Sequence, residues 1–209
     1  AVGWCAVVSK RLSILFGVLI LISGICGNGT KAEASMFKQE LHALTSQQKV
    51  VVLVEKSSSK MTIFYEGTPT KSFVCVSGVN PQGDKQRQGD NRTPEGQFFI
   101  TEKERLQDHP YLGRKWLGLS YPTPVHAQKG IDNNLISLSE YNAILTANQQ
   151  RSLPPQNTAL GGWIGIHGGR EDLTKDKVNW TEGCLALQDS DLETLYNLVE
   201  YGTPVIIIA

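Results

Sequence analysis

Residues 50–55 read Val-Val-Val-Leu-Val-Glu, and no other stretch narrows the possible folds as sharply. An unbroken β-branched run has no polar side to turn toward water, so it predicts a strand covered on both faces. Ser57-Ser58-Ser59 then marks a turn, and residues 61–65 resume strand character. Gly67-Thr68-Pro69 marks a second turn before the alternating residues 71–77. Three short strands joined by tight turns predict an antiparallel meander. Residues 97–102, 115–120 and 163–166 read as further strands, and 205–208 as a buried closing strand.

Helical signals are fewer. Met36, Phe37, Leu41 and Leu44 are spaced for a helix over residues 36–47. Ser137 and Glu140 form a capping-box pattern ahead of Tyr141, Ile144 and Leu145. A second such pattern, Ser190 to Glu193, precedes an apolar face of Leu192, Leu195, Tyr196 and Val199, with Gly202 at the stop. Residues 80–93 are polar and read as a loop. The expectation is a mostly β, single-domain sandwich or barrel with a few short helices, and 209 residues suffice for one core.

The N-terminus points to export. Lys10 and Arg11 precede an apolar run over residues 12–25, and Ala32-Glu33-Ala34 follows, as in a secretory signal peptide cut after Ala34. A retained anchor is the alternative, but the run falls short of the roughly 20 residues a spanning helix needs. Cys26 follows the bulky Ile25, which argues against lipidation. The expected division is residues 1–34 as signal, 35–48 as lead-in and 49–209 as the working domain. Cleavage removes Cys5 and Cys26 and leaves Cys75 and Cys184, either paired in an oxidising compartment or with Cys184 free. Formal net charge is 0, so no basic field invites nucleic acid.

Cys184 follows Gly183 in Trp180-Thr181-Glu182-Gly183-Cys184-Leu185. A cysteine after glycine has open access to substrate, and the amides of Gly183 and Cys184 are placed to meet an oxyanion. By itself such a cysteine is more often a small buried hydrophobe. His167, at the end of an apolar strand in Ile164-Gly165-Ile166-His167-Gly168-Gly169, supplies a base for the thiol proton. All four histidines, His42, His109, His126 and His167, precede Cys184, which excludes a papain-like order. Nothing basic follows Cys184, which counts against a sortase. The scattered histidines form no zinc motif, and neither a G-x-S-x-G elbow nor a phosphate loop occurs, so no metal or organic cofactor is expected.

His167-Gly168 followed by Thr181-x-Gly183-Cys184 resembles the signature of the L,D-transpeptidase catalytic domain, the YkuD domain. Thr93-Pro94-Glu95-Gly96-Gln97-Phe98 is similar to that family's Thr-Pro-x-Gly-x-Phe element. The resemblance implies an L,D-transpeptidase-like β domain over residues 49–209, located in the periplasm or cell envelope. It implies a cysteine transferase that acts on peptidoglycan stem peptides through a thioester, in cell-wall biogenesis and cell shape. Cys184 would be the nucleophile and His167 the base, with the Gly168 carbonyl orienting the ring and Thr181 supporting the loop. Arg92, Trp163 and Trp180 are assigned to substrate, and Tyr121 is a further aromatic for the cleft. Carbapenem-type β-lactams would acylate the same thiol, and a lipoprotein is a possible acceptor. Glu182 and Ala186 stand where many members carry basic or amide residues. Gly183-Cys184-Leu185-Ala186-Leu187 with Asp189 is similar to a branch that includes hydrolases of peptidoglycan–lipoprotein links. Hydrolysis on the same scaffold is therefore the alternative to transfer, and a non-catalytic wall-binding module a third reading.

Overall fold

The computed structural model describes residues 31–170, 173 and 177–209, with side chains from residue 37 onward. Residues 1–30, which hold Cys5, Lys10, Arg11 and Cys26 of the expected export signal, lie outside the described residues.

Helix α1 (Lys31–Gln47) begins earlier than its apolar spacing indicated, and Ala34 falls within it. The meander follows as β1 (Val50–Glu55), β2 (Lys60–Tyr65) and β3 (Thr68–Val74), antiparallel in sequence. After the loop come β4 (Gly96–His109), β5 (Gly113–Leu119), α2 (Pro124–Asp132), α3 (Leu138–Gln149), β6 (Gly165–Arg170), β7 (Leu185–Gln188), α4 (Asp189–Leu198) and β8 (Pro204–Ile208). One mixed eight-stranded sheet results, in the order β3-β2-β1-β8-β4-β5-β6-β7. The domain is mostly β with four helices among the described residues.

The two outer strands of that order are drawn together. Val76, just past β3, exchanges both backbone hydrogen bonds with Ala186 of β7, at 3.0 and 2.9 Å. Gly78 forms a parallel bridge with Thr181, in which the Val79 amide donates to the Thr181 carbonyl at 2.9 Å and the Thr181 amide to the Ser77 carbonyl at 3.4 Å. The sheet therefore curls round a core built from Val52, Val54, Phe98, Leu117, Ile166, Leu185 and Ile207, among others. On the outer side of β1 and β8, Val51, Leu53 and Ile206 pack against Phe37, Leu41 and Leu44 of α1. This double cover accounts for the unbroken valine run.

Several boundaries differ from expectation for physical reasons. Strand β4 runs to His109 because its outer half pairs with β5 while remaining exposed, so no apolar alternation marks it. His167 lies inside β6 rather than at a strand end. The capping box of α3 forms, with Ser137 and Glu140 bonded reciprocally. The one expected for α4 does not: Gln188 is the cap, without a side-chain bond, and Ser190 lies inside the helix. Helix α2 gave no clear apolar period, because Gly130 interrupts it to let Ile136 and Leu160 approach to 3.1 Å of where a side chain would start. Tyr121 is fully buried in the core, its hydroxyl donating to the Leu160 carbonyl at 2.8 Å, so it does not reach a cleft. Cys75 and Cys184 are both free thiols, and Cys75 is a core residue.

Candidate active site

Strands β6 and β7 run parallel, with Ile166 opposite Leu185 and His167 opposite Ala186. Ile166 and Leu185 point into the core. The next residue on β6 points to the opposite face, and so does the residue just before β7. His167 and Cys184 thus share one face on neighbouring strands, with α-carbons on the order of 8 Å apart by strand spacing. That is side-chain contact range for an imidazole and a thiol.

His167 is completely buried, and its Nδ1 bonds the Gly168 carbonyl at 2.9 Å. A carbonyl only accepts, so in the neutral ring Nδ1 carries the hydrogen and Nε2 presents a lone pair. That Nε2 is buried with no hydrogen-bond partner among the described residues. Three aromatic rings enclose the imidazole: Trp180 at 5.4 Å, Tyr111 at 5.5 Å and Trp116 at 6.3 Å between centroids. Burial drives the His167 pKa down to about 4; the Gly168 carbonyl opposes the fall, His109 adds to it, and Asp189 opposes it. At neutral pH the ring is an uncharged base.

Cys184 is half-buried, and its Sγ donates to the Trp163 carbonyl at 3.3 Å. The surrounding protein pushes its pKa up to about 11, against the Gly165 amide and Lys85, which lower it, and with Glu182, which raises it. The resting pair is therefore thiol and neutral imidazole, not thiolate and imidazolium.

The loop before Cys184 is tightly specified. Thr181 is fully buried; its hydroxyl donates to the Cys184 carbonyl at 2.6 Å and accepts from the Gly183 amide at 3.3 Å. Thr93, from the Thr-Pro-x-Gly-x-Phe element, donates to the same carbonyl at 3.4 Å and accepts from the Gly78 amide at 2.9 Å. Gly183 has φ +140° and passes so close to the 90s loop that a Cβ would sit 2.9 Å from the Arg92 carbonyl oxygen. A side chain here would meet both strain and collision.

A cleft of about 600 Å³ opens over Cys184, lined by Lys85, Tyr111, Trp116, Trp163 and Glu182 among others. Trp163 stands in it 58% exposed, with φ +54°. Trp180 instead lies edge-on to His167 beneath the Arg170 guanidinium, 4.7 Å from its ring. Arg92 does not line the cleft; its amide donates to Asp90 at 3.1 Å and its carbonyl abuts Gly183. Sequence reasoning missed Tyr111 and Trp116, and gave Asp189 no contact; its carboxylate accepts from the Gly169 amide at 3.1 Å. The His109-Pro110-Tyr111-Leu112-Gly113 turn signal was available for Tyr111, but its contact with His167 lies far along the chain. Among the described residues no three His, Cys, Asp or Glu side chains converge as metal ligands. No helix among them is long and apolar enough to cross a membrane.

The family described as the L,D-transpeptidase catalytic domain, YkuD, matches residues 49–207. No curated protein matches the chain. Among solved structures, the helical cell shape determining protein Pgp2 from Campylobacter jejuni is 20% identical with a TM-score of 0.50, covering 81% of this chain and 54% of its own. A lysine-to-alanine variant of Pgp2 is also 20% identical, with a TM-score of 0.51, covering 81% and 53%. An L,D-transpeptidase from Mycobacterium tuberculosis H37Rv is 17% identical with a TM-score of 0.45, covering 77% and 58%. The chain thus spans little more than half the length of these proteins.

Proposed function

The chain belongs to the YkuD family of L,D-transpeptidase catalytic domains, and on that premise we propose that it is an exported cysteine transpeptidase of peptidoglycan stem peptides. The observation that carries this reading is the unpartnered, buried Nε2 of His167 on the face it shares with Cys184. A buried imidazole nitrogen left without a partner is costly, and such exceptions gather where a reaction needs the lone pair.

In the proposed reaction Cys184 turns from the Trp163 carbonyl to His167. Its proton passes to Nε2 as sulfur attacks the carbonyl between the third stem residue and the terminal D-Ala. The carbonyl electron pair moves onto oxygen, where the Cys184 amide is free to donate. Collapse breaks the carbon–nitrogen bond, and the imidazolium proton leaves with the D-Ala amine. The amine of a second stem then attacks the thioester, His167 takes its proton, and sulfur departs to recover that proton. With a thiol near 11 and an imidazole near 4, the proton moves with the attack rather than before it.

Pgp2 carries a cell-shape role in its name; for this chain, wall biogenesis and cell shape belong to the same proposal. So do location in the envelope, use of a lipoprotein as an acceptor and inhibition by carbapenems.

Intact-protein mass spectrometry with a carbapenem tests the chemistry. An adduct on the parent that vanishes in Cys184→Ala supports it, whereas no adduct on reduced parent protein sinks it. Muropeptide analysis then reads the acceptor: new 3→3 dimers mean transfer, and shortened stems or released lipoprotein mean hydrolysis.

A further inference from the structure

The peptide group between Gly168 and Gly169 is engaged at both ends. Its carbonyl oxygen accepts the Nδ1 hydrogen of His167 at 2.9 Å, and its amide, the Gly169 N–H, donates to Asp189 Oδ1 at 3.1 Å. An imidazole, one peptide group and a carboxylate therefore lie in series. A peptide transmits polarity along such a row, because an N–H that donates to a carboxylate enriches the carbonyl oxygen in electrons. That oxygen then holds the Nδ1 hydrogen more strongly, and most strongly once the ring is an imidazolium. In a Ser-His-Asp triad the carboxylate touches the imidazole directly, orients it and stabilises its charge. Here one peptide stands between them.

The chain departs from regular structure to make this row. The register between β6 and β7 shifts between His167 and Arg170, and Gly169, with φ +97°, lies within that shift. Its amide goes to a side chain instead of a strand. Asp189 opens α4, where a carboxylate ordinarily serves the amides of its own helix. It reaches back to β6 instead, and the cap of α4 makes no side-chain bond. Two glycines clear its path: a Cβ on Gly168 would overlap Asp189 Oδ1, and one on Gly113 would sit 2.7 Å from it. The cations whose charge reaches this carboxylate, Arg114 and Lys115, are paired with Asp108 and Glu193. Against the ring itself stand Tyr111 and His109, and His109 disfavours a charge there.

We propose that Asp189 is a positioning residue for the base: through the Gly168–Gly169 peptide it keeps His167 in the tautomer that presents Nε2, and it stabilises the positive charge the ring gains as sulfur attacks. This rests on the acyl-transfer reading above. No proton leaves the ring for the peptide or the carboxylate, and no bond at Asp189 forms or breaks.

Asp189→Asn keeps an oxygen for the Gly169 amide and removes the charge. In the full chain, the first-order rate of carbapenem acylation at neutral pH is expected to fall about tenfold, the difference between a charged and a neutral hydrogen bond. The half-saturating concentration should move by less than about twofold, because the ring is charged only in the transition state. The acid limb of the rate should move to lower pH, since a carboxylate favours the protonated ring and its loss makes His167 harder to protonate. A merely structural role would slow the reaction and leave that limb in place. An unchanged rate, an unmoved limb or a loss confined to half-saturation each overturns the proposal. Asp189→Ser, shorter and also uncharged, repeats the pH profile should the amide disturb the turn; the same shift is expected, and an unmoved limb again overturns the proposal. If the parent protein itself forms no adduct on Cys184, the acyl-transfer reading fails instead, so that control separates the two.

Discussion

In the middle of the sheet β1 and β8 lie side by side with hydrocarbon on both faces: Val52, Val54 and Ile207 inward, Val51, Leu53 and Ile206 toward α1. Three strands away, β6 and β7 share that core on their inner face, with only a small apolar cluster round Ala186 on the other. Their other face carries a buried imidazole, a thiol and closely crossing glycines. The first region is held by area removed from water, which is non-directional and forgiving of shape. The second is held by directed bonds to backbone atoms, among them the carbonyls of Gly168, Trp163 and Cys184. Stability and chemistry are thus assigned to different parts of one continuous sheet, and substitutions should separate them.

The largest separation is expected at His167. His167→Ala should lower carbapenem acylation by about 10³-fold, within the usual range for loss of a general base. Its melting temperature should change little, because the substitution also removes a buried nitrogen without a partner. Stopped-flow acylation beside a thermal melt checks both, and a variant that acylates normally would break the division at its centre. Ile207→Ala should do the reverse. It empties a fully buried site on β8 at a cost of about 2–5 kcal/mol in denaturant titration, while the folded fraction acylates at the parent rate.

Acid should strike both regions through one group. The unfolded chain protonates a histidine near 6.5, but folded His167 does so only at about 4. A depressed histidine pKa leaves stability intact above 6.5 and removes it as pH falls toward 4, by about 3 kcal/mol in all. The acid limb of the acylation rate should likewise lie near 4 rather than 6.5, and a limb at 6.5 would show that the aromatic enclosure does not exclude water. The smallest effect is expected at Ser137→Ala, which removes the α3 cap. Chemical denaturation should show a loss of about 1 kcal/mol, and acylation should not change.

The same contrast explains what was legible in the amino-acid order. The valine run, the meander and the Ser137 box are local patterns, and each appears where its periodicity or capping chemistry put it. The length of β4 was hidden because an exposed strand shows no alternation, and α2 because a packing glycine blurred its period. At the site, the motif residues Thr93, His167, Thr181, Gly183 and Cys184 are brought to one place. Tyr111 and Trp116, and the bond of Asp189 to the Gly169 amide, were invisible, since they are contacts with residues far away in the chain. Ser190 misled for a related reason: Asp189 accepts from the distant Gly169 amide, and the helix cap falls two residues earlier, at Gln188, without a side-chain bond.

The bridges from Val76 to Ala186 and from Gly78 to Thr181 have a practical corollary. They grip the Cys184 segment on both sides of its sulfur, so the N-terminal hairpin serves as a foundation for a thiol that comes more than a hundred residues later. A fragment holding His167 and Cys184 without that hairpin would contain both groups of the proposed reaction and still lack a rigid seat for them. Damage by a protease cut or an exchanged strand at residues 60–78 should lower acylation of Cys184 from a distance.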